Sequence, residues 1–431
     1  MKRRILTIAC CLTCILGIHA QGEAGALSLS LDQAKQYAID HNRSLQNASL
    51  QVREAEAQRW QAIASMLPQV DGTLSYNNMM GYKLKFGSTG MSMEMPPYGS
   101  LGITASVAVN GQLVMNAIIS KLAIDMQQVS LDQTEQQILA NVTQIYTAIL
   151  AMEQVSDLLQ ESLKNIEQLQ GMTQRAADVG TVEQTSADQI QVRVGTLKNN
   201  INSTLRSTQI YRNSLKLLLG LSNHDQIQLT QTLDDVLNAE TTLSLLGTDF
   251  DIERNYNWQL LQKSTDLSKK QVTAAWMAYT PTLSLAYQYS GQKYFSDTEG
   301  FRMTPPNTFV ATLSVPLFSS LSRAAGVRQK KLAYQEALNT QDDTRDQLMV
   351  QNDQLRFNLI NSFETYTNEK ENIDVTSRVF ESTSNKYKQG VASTQDLITA
   401  SNDLISAQST YIQSVLTLVQ SQVELETFLN K

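Results

Sequence analysis

The sequence predicts an exported α+β protein: two tandem copies of one unit, each joining long coiled-coil helices to a pair of β-strands. Three observations predict it. First, landmarks recur in order at nearly one offset. "MLPQVDGTLSYN" matches "YTPTLSLAYQYS", placing Pro68 and Pro281 213 residues apart, and "ITASVAVNG" lies in register with "FVATLSVPL". "RAADVGTVEQTSADQ" parallels "KYKQGVASTQDL", placing Gly180 and Gly390 210 residues apart. That spacing is too long for a solenoid repeat, so it marks two copies of a large unit. Second, apolar residues recur every seven positions, the period of coiled-coil packing. Third, four short segments alternate apolar and polar residues, the period of a strand with one greasy face and one wet face.

Residues 1–20 read as a signal peptide. "MKRR" is a basic start, "ILTIACCLTCILGI" an apolar stretch and "IHA" a cleavage site before Gln21. All three cysteines fall inside it, and neither "TIAC" nor "CLTC" fits a lipoprotein signal. The net charge is −7, and loss of Lys2, Arg3 and Arg4 takes it to −10, which argues against a nucleic-acid partner. No later stretch has the roughly 18 consecutive apolar residues of a spanning helix. The chain is therefore expected in the periplasm, outside the cell, or in an outer membrane as a β-barrel.

The first repeat is 21–220, a linker region 221–248 follows, and the second repeat is 249–431. Ser30 and Gln33 form a capping-box pattern at the start of a helix that runs to about Met66, where Pro68 forbids continuation. Its counterpart runs from about Asp249 to Tyr279. A long helix of about Asn116 to Asp178 has a partner from about Ser322 to Gln389, stopped at Gly180 and Gly390. Return helices cover about Glu183 to Gly220 and Thr394 to Asn430. The heptad rows include Ile138, Ile145, Met152, Leu159 and Ile166 in the first repeat. In the second they include Leu359, Tyr366, Ile373 and Phe380, then Leu397, Leu404, Tyr411, Leu418 and Leu425. A second row, Ile398, Ile405, Ile412 and Val419, suggests neighbours on both sides, as in a ring. Two short helices end to end would match one long helix, although a plain helical hairpin bundle has the same period.

The strands are expected around Gln69–Asn78, Ile103–Asn110, Thr282–Ser290 and Thr308–Val315. Their length and alternation suit a membrane barrel, with Tyr76, Tyr82, Tyr287 and Tyr289 as an aromatic girdle. A soluble antiparallel sheet packed on helices fits the pattern equally well. Four strands cannot close a membrane barrel, and open edges are forbidden in lipid, so spanning strands demand an oligomer of eight or twelve.

The order of these parts, with the "LP" and "TP" steps, "SVPLF" and "KYKQGVASTQDLITASNDLISAQ", resembles the TolC family of outer-membrane efflux channels across the whole mature chain. The resemblance implies a membrane α+β fold: a long α-helical coiled-coil barrel, plus four strands per chain in a trimeric twelve-stranded transmembrane β-barrel. It implies a homotrimer in outer-membrane lipid whose tunnel crosses the periplasm, served by an inner-membrane pump and a periplasmic adaptor protein. An equatorial region is expected from "GALSLSLD", the linker and the C-terminus, and the longer C-terminal tails of the family are not expected. The implied function is an exit duct for small molecules such as drugs. Export of protein by a type I secretion system and a soluble periplasmic coiled-coil scaffold are the alternatives.

No nucleotide loop, nucleophile signature or histidine cluster points to an enzyme, a cofactor or a metal. The run "MSMEM", with Met79 and Met80 before it, resembles a soft-metal ligand run but reads first as an adaptable surface loop with no ligand. The resemblance places an acidic constriction at Asp396, near the tunnel tip, although a solvated aspartate at a helix tip reads equally well. Thr399, the next turn inward, departs from the second acid that some relatives carry. Ser186 is the first-repeat counterpart of Asp396, with Asp188 beside it. The hairpin tips at Gly180, Thr181, Ser186, Gly390 and Val391 are expected to meet the adaptor.

Overall fold

The computed structural model describes residues 27–86, 91–94, 96–237, 239–295 and 305–431. The leader and Met95 lie outside the described residues. The first half runs β1 (Leu27–Leu29), α1 (Leu31–His41), α2 (Arg43–Ala64), β2 (Gln69–Asn77), β3 (Lys83–Phe86), β4 (Met91–Glu94), β5 (Tyr98–Val109), α3 (Gly111–Asp178) and α4 (Gln184–Leu218). A linker carries β6 (Ile227–Leu229), α5 (Leu233–Val236) and α6 (Ala239–Leu246). The second half runs α7 (Tyr256–Met277), β7 (Thr282–Tyr294), β8 (Asn307–Ser314), α8 (Ser322–Lys388) and α9 (Thr394–Leu429).

α3 and α8, of 68 and 67 residues, each span about 100 Å at 1.5 Å per residue. α3 packs on α2 and α7 over one part of its length and on α4 and α9 over the other, while α8 packs on α7 and α9. The short helices thus stack end to end beside the long ones. The heptad rows are the seams: Ile138, Leu159 and Ile166 of α3, Leu359, Tyr366, Ile373 and Phe380 of α8, and all five predicted residues of α9 are buried. Of the second α9 row, Val419 is buried, whereas Ile398, Ile405 and Ile412 stay half-buried in one chain.

The expected continuous first helix is interrupted at Asn42, which takes an extended conformation between α1 and α2. Its Oδ1 accepts from the N–H groups of Ser44 and Leu45, and its Nδ2 donates to the Leu218 carbonyl at 2.7 Å. One side chain therefore caps the start of α2 and the end of α4 together. Asn255 repeats the arrangement: it accepts from Asn257 and Trp258 and donates to the Phe428 carbonyl at 3.0 Å, joining α9 to α7. Both asparagines are buried, and they lie 213 residues apart, the offset of the two prolines. At the first joint Gly220 has φ +71°, and a Cβ there would meet the His41 carbonyl oxygen at 2.5 Å.

The linker and the N-terminal strand meet around the middle of the wall. β1 and β6 pair in parallel, Leu27 opposite Ile227. The Tyr146 hydroxyl donates to the Leu29 carbonyl at 3.0 Å, and Arg212 ties the Ile227 carbonyl to Glu153. On the other side Lys370 pairs with Asp234 at 3.2 Å, and Arg356 donates to the carbonyls of Leu246 and Thr248.

β2, β5, β7 and β8 form one antiparallel sheet in that order. The strands differ from expectation at their ends: β5 begins at Tyr98 and β7 continues to Tyr294, because the two pair without a break from Val109↔Leu283 to Tyr98↔Tyr294. α3 also starts five residues earlier than expected, at Gly111, where Asn110 caps it through the Leu113 N–H. β3 and β4, inside the stretch read as a methionine-bearing loop, form a small hairpin of their own.

Candidate functional site

The sheet separates apolar from polar residues over most of its two faces, because residues paired across antiparallel strands share a side. The register places Val70 opposite Ala105, Ala105 opposite Tyr287 and Tyr287 opposite Phe309. It also lines up Val109, Leu283 and Leu313. Leu74, Tyr76, Leu283, Phe309 and Leu313 on this face are exposed, Leu74 by 84%. The opposite face carries Asp71, Thr104, Gln288 and Thr308, then Ser106, Ser284 and Thr312. Among the described residues, β2 and β8 have a ladder partner on one side only, which leaves both edges of the sheet open. No helix among the described residues is long and apolar enough to cross a membrane.

At the far end of the wall the two long helices turn back. Gly180 and Gly390 have φ of +76° and +74°, a conformation glycine takes without penalty. The Gly180 N–H bonds to the Ala177 carbonyl and that of Thr181 to Ala176; Gly390 bonds to Tyr387 and Val391 to Lys386. These are the paired bonds of a Schellman motif, closing the last carbonyls of α3 and α8. Val179 and Val391 stand 74% exposed beside the two glycines.

The tips are joined by a polar bridge that the sequence reading did not foresee. The Tyr387 hydroxyl on α8 lies 2.6 Å from Thr173 Oγ1 on α3 and 3.5 Å from Thr394 Oγ1 on α9. A cleft of about 460 Å³ opens beside this bridge, bounded by Met172, Thr181, Lys388 and Ser393.

Asp396 is exposed at the third position of α9. Its Oδ2 accepts from the Ser393 N–H at 2.9 Å and from the Ser393 hydroxyl at 2.8 Å, while its own N–H donates to Ser393 Oγ at 3.1 Å. The Ser393 backbone and then its hydroxyl hold the Asp396 carboxyl below the usual carboxylate range. "STQD" is an acidic capping box, a signal visible in the sequence as Ser at the cap and an acid three residues on. Thr399, three residues along, is exposed on the same helix face. Ser186 occupies the corresponding position of α4, but Glu183 at that helix's cap makes no side-chain cap bond. Asp188 instead accepts from Gln184 at 2.9 Å. The described residues contain no group of three His, Cys, Asp or Glu placed to hold a metal ion.

The family model described as "Outer membrane efflux protein" matches residues 35–221 and 252–431, both halves of the duplication. The chain is 20% identical over 379 residues to the toxin and drug export protein A of Aggregatibacter actinomycetemcomitans, covering 86% of this chain and 79% of that protein. Its fold is similar to that of the CmeC outer membrane channel of Campylobacter jejuni, with a TM-score of 0.73, 16% identity, and 93% and 85% of the two chains covered. The outer membrane protein VceC of Vibrio cholerae gives a TM-score of 0.72 at 14% identity over 93% and 95%.

Proposed function

Because the chain belongs to the outer membrane efflux protein family, we propose that three copies form the exit duct of a three-part export system, passing drugs and other small toxic compounds outward. The observation that carries this is the sheet: a largely apolar face beside two open edges. Lipid accepts the apolar face and forbids the edges, so β8 of one copy must pair with β2 of the next. Three copies give twelve strands around a polar lumen, continued by a helical tunnel. A soluble scaffold would leave the same face in water with no partner.

In this reading the tunnel entrance is the Asp396 constriction, with Thr399 one turn inward. Three Asp396 carboxylates near the threefold axis, each kept ionised by its cap, favour cations in the closed tip. The adaptor engages Gly180, Thr181, Ser186, Gly390 and Val391, and the inner-membrane pump supplies the energy. The collar of β1, β6 and the linker is the equatorial region of the wall.

Crosslinking in native outer membranes tests the assembly: a three-chain species is expected, and a stable monomer with every strand satisfied would sink it. Deleting the gene tests the cargo. Heightened sensitivity to drugs or detergents is the expected outcome, whereas the loss of a secreted protein with unchanged sensitivity would replace small-molecule efflux by protein export. Asp396→Asn should lower cation preference and weaken block by multivalent cations in planar bilayers.

A further inference from the structure

We propose that the head of α8, with the end of α7, is a cationic collar that binds anionic phospholipid headgroups on the tunnel side of the outer membrane. The proposal rests on the sheet being a membrane barrel. It adds a ligand class and named residues to that reading.

The chain as a whole is acidic, yet no Asp or Glu occurs from Pro305 to Gln335. Within that span Arg323, Arg328, Lys330 and Lys331 fall in the first ten residues of α8. Arg328, Lys330 and Lys331 are exposed. The first acid on the helix is Glu336, beyond all four. The duplicated counterpart does without this cluster: the head of α3 carries Lys121 alone before Asp125. A helical wall of this design therefore does not require it.

Position supplies the partner. Lys330 Nζ donates to Gln271 Oε1 on α7 at 3.0 Å, and Lys331 Nζ stands 5.6 Å from the Trp276 ring centroid. Both ammonium groups are thus level with the last two turns of α7, which ends at Met277 just before β7 begins at Thr282. Gln271 to Met277 is a rise of about 9 Å. The headgroup layer on one side of a bilayer is about 5–8 Å deep, and lysine and arginine arms reach several ångströms beyond their backbone. From Trp276, beside Lys331, seven positions along the chain lead to Leu283, in the row with Val109 and Leu313 where the apolar sheet face begins.

Two neighbours fix the surface as interfacial. Trp276 is 50% exposed and packs on the exposed Tyr279 with centroids 5.6 Å apart. Half-exposed tryptophan and tyrosine beside a lipid-facing sheet mark the membrane–water boundary. Lys331 covers that indole, so its charge shares the same surface. On α7, Lys269 is exposed at the same level, and Lys270 pairs with Asp266 at 3.4 Å, so the nearby acid is already engaged. Exposed cations with no competing acid between them, placed where α7 gives way to the apolar sheet, are matched by phosphate-bearing anionic lipid.

The test uses the full-length protein reconstituted in vesicles of phosphatidylethanolamine with a minor share of phosphatidylglycerol. Retained lipid is counted by native mass spectrometry after gentle extraction. The wild type should retain phosphatidylglycerol by about fivefold or more over its bulk share, and the excess should fall with added salt. The triple variant R328Q/K330Q/K331Q should retain it at the bulk share, and the charge-preserving K330R/K331R should behave as the wild type. Wild-type retention at the bulk share overturns the proposal, and so does a triple variant indistinguishable from wild type. Altered ion selectivity in the triple variant with unchanged lipid retention would place the cations in the lumen and overturn it as well. Failure of the wild type itself to give a three-chain species defeats the barrel reading, a result separate from any lipid count.

Discussion

At the two hairpin tips the duplicated halves make the same turn and then start their return helices differently. α3 and α8 both end in a left-handed glycine with the same two closing bonds. α4 then begins at Glu183 with no side-chain cap, whereas α9 begins at Ser393 with a full capping box to Asp396. The second tip alone supplies Tyr387, whose hydroxyl reaches Thr173 across the hairpins; the residue 210 positions earlier is Ala177. What stayed alike is backbone closure, which any helical hairpin of this shape needs. What diverged is polar chemistry: a cap on an exposed first turn, and a half-buried tyrosine that packs against the core and meets the buried Thr173.

The strongest way to break the comparison is at the parts that stayed alike. Asn255→Ala and Asn42→Ala each remove a shared cap and leave a carbonyl, the buried one of Phe428 or the half-buried one of Leu218, without its donor. Each should cost about 2–3 kcal/mol in chemical unfolding of the assembled protein. A large loss at one joint and none at the other would end the claim of equivalence.

Gly180→Ala and Gly390→Ala come next, at about 1–2 kcal/mol each from strain at positive φ. A Cβ at either position meets nothing within 4 Å, so backbone strain is the only cost and the two values should agree.

Tyr387→Phe should cost roughly 0.5–1.5 kcal/mol and raise single-channel conductance in planar bilayers by loosening the tips. Unchanged conductance would show that the bridge does not hold the entrance narrow.

Ser393→Ala should destabilise the start of α9 by about 1 kcal/mol, while Glu183→Ala should leave α4 unaffected, read by hydrogen exchange in the first turn of each helix. The smallest effect is on pH. Because the Asp396 carboxyl is held below its usual range, its cap contributes fully above the ordinary value of about 3.9 and is lost as pH falls through the lower folded value. Exchange in the first turn of α9 should accelerate below about pH 4, and that of α4 should show no matching step.

Heptads, strand alternation, Pro68 and Pro281, and Gly180 and Gly390 were legible in the sequence because each is a local rule. A seven-residue row declares a seam, a two-residue row declares a face, and proline or left-handed glycine ends a helix whatever surrounds it. The acidic capping box of Ser393 and Asp396 is equally local, a serine at the cap with an acid three residues on. Other features depended on partners far along the chain. Asn42 breaks a helix that no proline or glycine interrupts, because it serves the end of α4, 176 residues away. Tyr98 and Tyr294 extend their strands because each completes the other's ladder. Thr173 and Tyr387, 214 residues apart, become a bridge only once the hairpin of α8 and α9 packs on α3. Periodicity determined what each segment would be. Packing alone decided which distant polar groups would meet, since a hydrogen bond needs a partner within about 3 Å and spacing along the chain sets no such distance.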